Sequence, residues 1–264
     1  MKFFKKYKIS IIVLLILMII SLINYFISVY TPFGKIDTTQ ISSYSFWFYT
    51  FNFGIGSVIG FLSQVIIPIV CVYSFFNIIK TGFIQNVITR MSYKKYIFEN
   101  IVLCYKKAIL LFPLFSVIMF IIASFLFTNE ISNGSLHIYH FPSALNNPLL
   151  HVFLSFISIT LYSFTIVGIT IILSKYFNKF YIVLALTLMS VFLIAFVEGN
   201  FVSNFLYSIT DNSLFYNINI YDDYFCARGN FLINIVFGII RNIILIIVMY
   251  FTYRDSEKVV LNNV

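Results

Sequence analysis

The chain is short of charge, and shorter of acid than of base. Of its 264 residues 10% are charged, nine acidic against 17 basic for a net charge of +8, while 61% are hydrophobic and the mean hydropathy is +0.97. A soluble domain of this length cannot bury so much apolar surface, nor cover the rest with so few charges. The bilayer is therefore the expected solvent. Three cysteines, Cys71, Cys104 and Cys226, have no metal-type spacing and make no disulfide framework. There is no G-x-x-x-x-G-K-[ST], so the chain has no P-loop cradle for nucleotide phosphates. Also missing are H-E-x-x-H, G-x-S-x-G and any adjacent glutamates in an apolar run, which removes the familiar membrane peptidase designs. The positive charge does not point to nucleic acid, because the basic residues stand at the ends of apolar runs and not among exposed aromatics.

What is abundant is long apolar runs. Six of them, 9–29, 57–79, 108–128, 150–174, 180–197 and 231–252, approach or exceed the roughly 20 residues that cross about 30 Å of hydrocarbon. The first follows Lys2, Lys5, Lys6 and Lys8 as a signal peptide would. It is too long for a signal-peptide apolar region and no small-x-small site follows, so a retained helix is expected. Numbering the runs as spans puts fourteen Lys and Arg on one side, at the N-terminus, in 80–107, at Lys175 and Lys179, and at Arg254 and Lys258. Only Lys35 and Arg228 fall on the other side. The positive-inside rule then places both termini in the cytoplasm. The expected fold is an all-α integral membrane protein, one domain over 1–264 with six transmembrane helices.

The stretch from Lys80 to Lys107 is the longest polar interruption on the basic side. Within it Phe83, Ile84, Val87, Ile88 and Met91 recur at helical spacing, with Gln85, Asn86, Thr89 and Arg90 on the other face. The spacing predicts a short amphipathic helix at the inner membrane surface between spans two and three, ending near Ser92. It reads either as a docking face for another protein or as a helix lying on anionic lipid. Residues from Tyr93 to Lys107 read as a basic, headgroup-level lead into span three.

Arg241 is the most costly residue, since an arginine in mid-span facing lipid costs about 2.5–3.5 kcal/mol on insertion scales. Asn234, Gly238, Arg241, Asn242 and Leu245 form one semi-polar stripe, with Gln64 and Asn24 at a comparable depth and Glu198 nearer the outer mouth. These residues line an outward-facing cavity or a subunit interface, or else make a structural contact inside the bundle. The hydroxyls Ser21, Ser155, Ser158, Thr160 and Ser163 are expected mostly to bond their own helix backbone. Gly56 and Gly60 suit close helix packing better than a phosphate loop. Aromatics between Tyr44 and Phe53 read as an interfacial belt or, alternatively, a ligand platform. Pro68 and Pro113 fall within spans and are expected to kink them. His137, His140 and His151 cluster near one loop, but without a cysteine or a placed carboxylate beyond Glu130 they read as interfacial histidines before a zinc site. The aromatic and acidic stretch from Glu198 to Asn230 reads as a large outer loop that partly re-enters the membrane.

This arrangement, with the stretch Thr81 to Tyr96 carrying Gly82, Arg90, Ser92 and Tyr96, resembles an ABC-2 type transporter permease of low-GC Gram-positive bacteria. The resemblance in topology covers nearly the whole chain. It implies a coupling helix at about Lys80 to Met91 that docks on a separate ABC ATP-binding subunit, with Phe83, Ile84, Val87, Ile88 and Met91 supplying area and Arg90 a charge. It implies no cofactor bound by this chain, ATP and Mg on the partner, and a second permease copy or paralogue alongside. The localisation implied is the bacterial cytoplasmic membrane, multi-pass, with membrane lipid as surroundings and no nucleic acid partner. The substrate implied is amphipathic or hydrophobic, a peptide or antimicrobial peptide first. A stand-alone immunity or binding protein and an intramembrane enzyme of unfamiliar design remain as other readings.

The charge pattern makes a simple topological prediction. In intact cells Cys226 should react with a membrane-impermeant maleimide, whereas a cysteine placed at Asn178 should react only after permeabilisation; the reverse pattern would invert the assigned orientation.

Overall fold

Hydrocarbon offers no partner to a backbone N–H or C=O, so a chain immersed in it closes its hydrogen bonds within helices. The computed structural model describes residues 2–30, 43–44, 46–47, 55–80, 92–126, 148–210, 218–221 and 231–254. Among these there is no strand. The helices are α1 (Lys2–Tyr30), α2 (Ile55–Ile67), α3 (Tyr73–Lys80), α4 (Tyr93–Ile109), α5 (Phe112–Leu126), α6 (Pro148–Tyr176), α7 (Phe180–Phe196), α8 (Ser203–Thr210) and α9 (Phe231–Arg254). Five stretches are long and apolar enough to cross a membrane: Val58–Lys80, Tyr93–Leu126, Leu149–Tyr176, Phe180–Thr210 and Leu232–Arg254. In α1 the described apolar part, Tyr7–Ile23, is shorter than these five.

Both prolines act on their helices, in different ways. Pro68 opens a π turn, Pro68–Val72, closed by the Tyr73 N–H on the Pro68 carbonyl, so one wide turn absorbs the missing donor and joins α2 to α3. Pro113 is the second residue of α5, where no intrahelical N–H is needed, and the chain turns at Leu110–Leu111 to separate α4 from α5. The third run, expected to begin at Ala108, is therefore a broken helix of 34 residues from Tyr93 to Leu126. At 1.5 Å per residue it would extend about 51 Å if straight, well beyond about 30 Å of hydrocarbon. Its first part, α4, is two-faced: Lys94, Lys95, Phe98, Glu99 and Lys106 are exposed while Tyr93, Ile97, Cys104, Lys107 and Ala108 are buried.

The fifth run also differs from expectation. Helical backbone continues past Val197 through a second π segment, Val197–Val202, into α8, so the stretch expected to begin the outer loop is helix as far as Thr210. Phe201, Phe205 and Ile209 then line one exposed side of it.

Helix α6 is the axis of the bundle. Tyr162, Ser163 and all of 165–171 are buried, and α2, α3, α4, α5, α7, α9 and the Pro68 π turn all pack against it. Gly168 permits the closest approach: a Cβ there would meet the Tyr105 hydroxyl at 3.2 Å and Leu245 Cβ at 3.4 Å, so α4 and α9 both close over a bare backbone. Helices α6 and α9 run parallel in constant register. Asn242 bonds to the Leu161 carbonyl and Thr165, Lys175 to the Thr252 carbonyl, and Tyr253 to the Ile171 carbonyl, at sequence separations between 77 and 82.

Lysines tie the helix ends on the basic side. Lys80 Nζ donates to the Lys175 carbonyl at 3.0 Å and to Asn178 Oδ1 at 3.1 Å, and Lys175 donates in turn to the Thr252 carbonyl. Carbonyls in the last turn of a helix lack intrahelical donors and carry partial negative charge, so each ammonium both satisfies one and complements the dipole.

On the opposite side Tyr44, Phe46 and Trp47 are almost fully buried, so these three rings anchor their loop inside the bundle and do not form a lipid-facing belt. The Trp47 indole donates to the Ser116 carbonyl at 3.1 Å and packs edge-on to Phe120 and His151. His151, only 1% exposed, bonds to the Tyr44 hydroxyl and is a core histidine rather than an interfacial one. Replacing Trp47 with Ala should lower stability by about 3–5 kcal/mol, as for buried aromatics generally. Phe125→Ala, at a side chain 86% exposed, should change it by less than about 0.5 kcal/mol. Thermal unfolding in one detergent would compare the two; equal effects would mean that Trp47 is not an anchor.

Candidate functional site

From the middle of α6 and α9 toward their N-terminal turns the apolar bundle is interrupted by buried polar side chains. The stripe expected on α9 faces inward: Asn234, Gly238, Arg241 and Asn242 are buried, whereas Ile239, Ile240, Ile243 and Ile244 opposite them are exposed. Arg241 is paired with Glu198. Arg241 Nε lies 2.8 Å from Oε1 and Nη2 3.4 Å from Oε2, a two-pronged approach that suits guanidinium and carboxylate, with both residues at most 9% exposed.

Glu198 is the second residue of the second π segment, Val197–Val202. The wide turn continues the helix, and the returning segment 218–221 closes over it. The Ile220 backbone lies beside the Glu198 carboxylate, the Ile218 N–H bonds to Ser203 Oγ at 3.4 Å, and Ile218 and Ile220 are fully buried. Tyr221 stacks on Phe61 at 6.2 Å and meets Phe192 edge-on at 6.1 Å. These four residues of the expected outer loop thus fold back onto the bundle.

Gln64 is another of these buried polar side chains. Its neighbour Ser63 bonds to the Tyr162 hydroxyl at 3.0 Å, and the α6–α9 register sets Tyr162 level with Arg241. Gln64 is fully buried beside the Tyr221 hydroxyl, yet neither of its amide atoms has a hydrogen-bond partner among the described residues. The same holds for the Tyr221 hydroxyl, Asn234 Oδ1 and the hydroxyls of Ser155, Ser158 and Ser163. By the same register Ser155 and Ser158 stand level with Asn234 and Gly238, one to two turns from the ion pair. The expectation that these hydroxyls bond their own backbone holds for Thr160, on the Phe156 carbonyl at 2.7 Å. It fails for Ser21, Ser155, Ser158 and Ser163, which have no partner among the described residues.

The sequence-derived residues therefore separate. Glu198 meets Arg241, Gln64 lies beside Tyr221, and Asn234 is buried on the same face of α9 two turns from Arg241. Asn242 is a fastening between helices: its amide donates to the Leu161 carbonyl at 3.0 Å, to Thr165 Oγ1 at 3.1 Å and to the Gly238 carbonyl at 2.8 Å. Asn24 lies on α1 with its side chain outside the described residues. The docking residues Phe83, Ile84, Val87, Ile88, Arg90 and Met91 also lie outside them, as do His137 and His140. Among the described residues no cluster of His, Cys, Asp and Glu is arranged to hold a metal.

The pairing of Arg241 with Glu198 was open to inference. Of nine acids Glu198 alone adjoins an apolar run, and an arginine in hydrocarbon needs a carboxylate. No family model, curated protein or solved structure matches the chain.

A buried charge stripped of its partner is far more costly than the intact pair or its apolar replacement. Arg241→Leu alone and Glu198→Leu alone should each destabilise the protein by about 3–5 kcal/mol, and the double Leu variant should recover most of that loss. Thermal unfolding of the purified protein checks this; additive losses in the double variant would show that the two side chains do not depend on each other.

Proposed function

We propose that this chain is the membrane-spanning subunit of an ATP-driven exporter of the ABC-2 permease type. In this reading α1 supplies a sixth span, both termini are cytoplasmic, and the membrane is a bacterial plasma membrane. A separate ABC subunit binds ATP and Mg, docks on residues 80–91 and drives a pair of permease chains, identical or related. The substrate is amphipathic or hydrophobic, a peptide or antimicrobial peptide first.

The observation that carries the reading is the polar layer of Gln64, Ser155, Ser158, Glu198, Asn234 and Arg241. A buried amide or hydroxyl without a partner costs about 1–3 kcal/mol in proteins. A bundle serving only as an anchor has no use for several of them between its helices. A protein that passes polar groups of a ligand between its helices does, since those groups and water supply the missing partners in turn. The lack of a P-loop assigns energy conversion to another polypeptide, and the amphipathic pattern of 81–91 next to Lys80 supplies a surface for it. Lys80 itself bonds to the end of α6, so force applied there reaches the helix at the centre of the bundle.

Two measurements test this. Purified in mild detergent from the cells that make it, the chain should retain a near-stoichiometric polypeptide carrying a Walker-A motif, and Ile84→Glu, Val87→Glu and Ile88→Glu together should release it without lowering the yield of folded chain. Recovery of well-folded chain free of any such ATPase would sink the transporter reading and favour a stand-alone binding protein. Within the complex, the Glu198→Leu, Arg241→Leu double variant should assemble normally but lose transport; unchanged transport would make the layer structural.

A further inference from the structure

A groove of about 900 Å³ opens between α4 and the last turns of α9, and the polar layer takes no part in it. Its walls are apolar, Phe98 and Ile101 on one side and Ile246 and Tyr250 on the other, and its floor includes the buried rings of Tyr93 and Tyr253. Its rim is basic: Lys94 and Lys95 in the first turn of α4 and Arg254 in the last turn of α9 line it, and no acid is among the lining residues that the structure describes. Glu99, four residues after Lys95, lies outside the lining. The groove stands at the end of the bundle where Lys80 and Lys175 close the helix ends, since Tyr253 lies beside both Thr252 and the Lys175 ammonium, 5.9 Å from its ring.

We infer that this groove is a site for one anionic phospholipid of the adjoining leaflet, its phosphate between Lys94, Lys95 and Arg254 and an acyl chain between Phe98 and Tyr250. Charge and shape each restrict the occupant. The basic rim selects a negative headgroup, and a free anion would leave the apolar walls empty. The volume is near the upper end of the roughly 300–1,000 Å³ usual for ligand pockets, more than a headgroup alone requires. Phe98 and Tyr250 are 66% and 63% exposed, two large rings facing lipid where aromatic side chains favour the headgroup region. Each basic residue near an anionic membrane surface strengthens binding about fivefold, so three give a preference over zwitterionic lipid on the order of 100-fold. The assignment is independent of the transport reading and stands or falls without it.

The test is native mass spectrometry of the purified protein in mixed micelles of phosphatidylglycerol and phosphatidylcholine. One phosphatidylglycerol per chain should remain bound at activation energies that strip the remaining lipid, and glycerol phosphate should not displace it. The triple variant Lys94→Gln, Lys95→Gln, Arg254→Gln should lose that preference, while the matched variant Lys8→Gln, Lys106→Gln, Lys179→Gln, at basic residues outside the groove, keeps it. Ile101→Trp, which fills the groove without altering charge, should also expel the lipid while leaving thermal unfolding unchanged. Equal losses in both triple variants would reduce the effect to general surface attraction, and displacement by glycerol phosphate would make the site one for anions alone. A change of oligomeric state in Ile101→Trp would assign the groove to a second copy of the chain. Any of these three outcomes overturns the proposal.

Discussion

An arginine halfway along a membrane helix is tolerable only where a carboxylate meets it, and much of the half of this protein away from its lysine-tied end is arranged so that one does. Glu198 meets Arg241 where the helix that begins at Phe180 continues past its apolar run through a π segment. The chain then returns, the Ile218 N–H bonding to Ser203 and the fully buried Ile220 lying beside the carboxylate. The return in turn places Tyr221 against Phe61 and Phe192, which fixes α2 and α7 to the same layer. A single charge pair thus stands where a helix continues and a loop folds back.

The central helix distributes its polar groups in two ways. Thr160, Thr165, Thr170 and Ser174 each donate to the carbonyl four residues earlier, a bond that every helix offers and that needs no neighbour. Thr165 and Thr170 also meet a neighbouring helix, through Asn242 and Thr187. Ser155, Ser158 and Ser163 do not use that bond, although nothing in their local sequence distinguishes them. The contrast separates hydroxyls anchored on their own helix backbone from hydroxyls with no partner among the described residues.

Much of the scaffold was legible from residue types alone, because hydrocarbon imposes a length and a hydropathy that the helices must match. The runs at 150–174 and 231–252 coincide with α6 and α9 to within two residues at each end, and the inward stripe on α9 follows from the placement of Asn234, Gly238 and Arg241 at helical spacing. Boundaries failed where polar residues enter a helix. Lys94, Lys95 and Glu99 concealed α4, and Glu198, Asn200 and Asn204 disguised a continuing helix as loop, their amides folding onto the Phe196 and Asn200 carbonyls. The burial of Trp47 and His151 was not legible, because it depends on a contact between segments far apart in sequence, made by residue types equally at home at a membrane interface. The candidate layer was recoverable residue by residue but not as pairs, since depth follows from counting along helices while partnership requires knowing which helices adjoin.

The lysine ties give α9 the mechanics of a beam held at two points. At its basic end the Thr252 carbonyl is clasped by Lys175, whose own carbonyl is clasped by Lys80, so the tips of α3, α6 and α9 form one linked plate. At mid-length the Arg241–Glu198 pair fixes α9 to the strand of helix that rises from Phe180. Displacing the plate cannot simply slide α9 along its axis, because the mid-point holds. It must lever the helix about that point, and the same push that shifts the basic end inward swings the far end, with Asn234 on it, the opposite way.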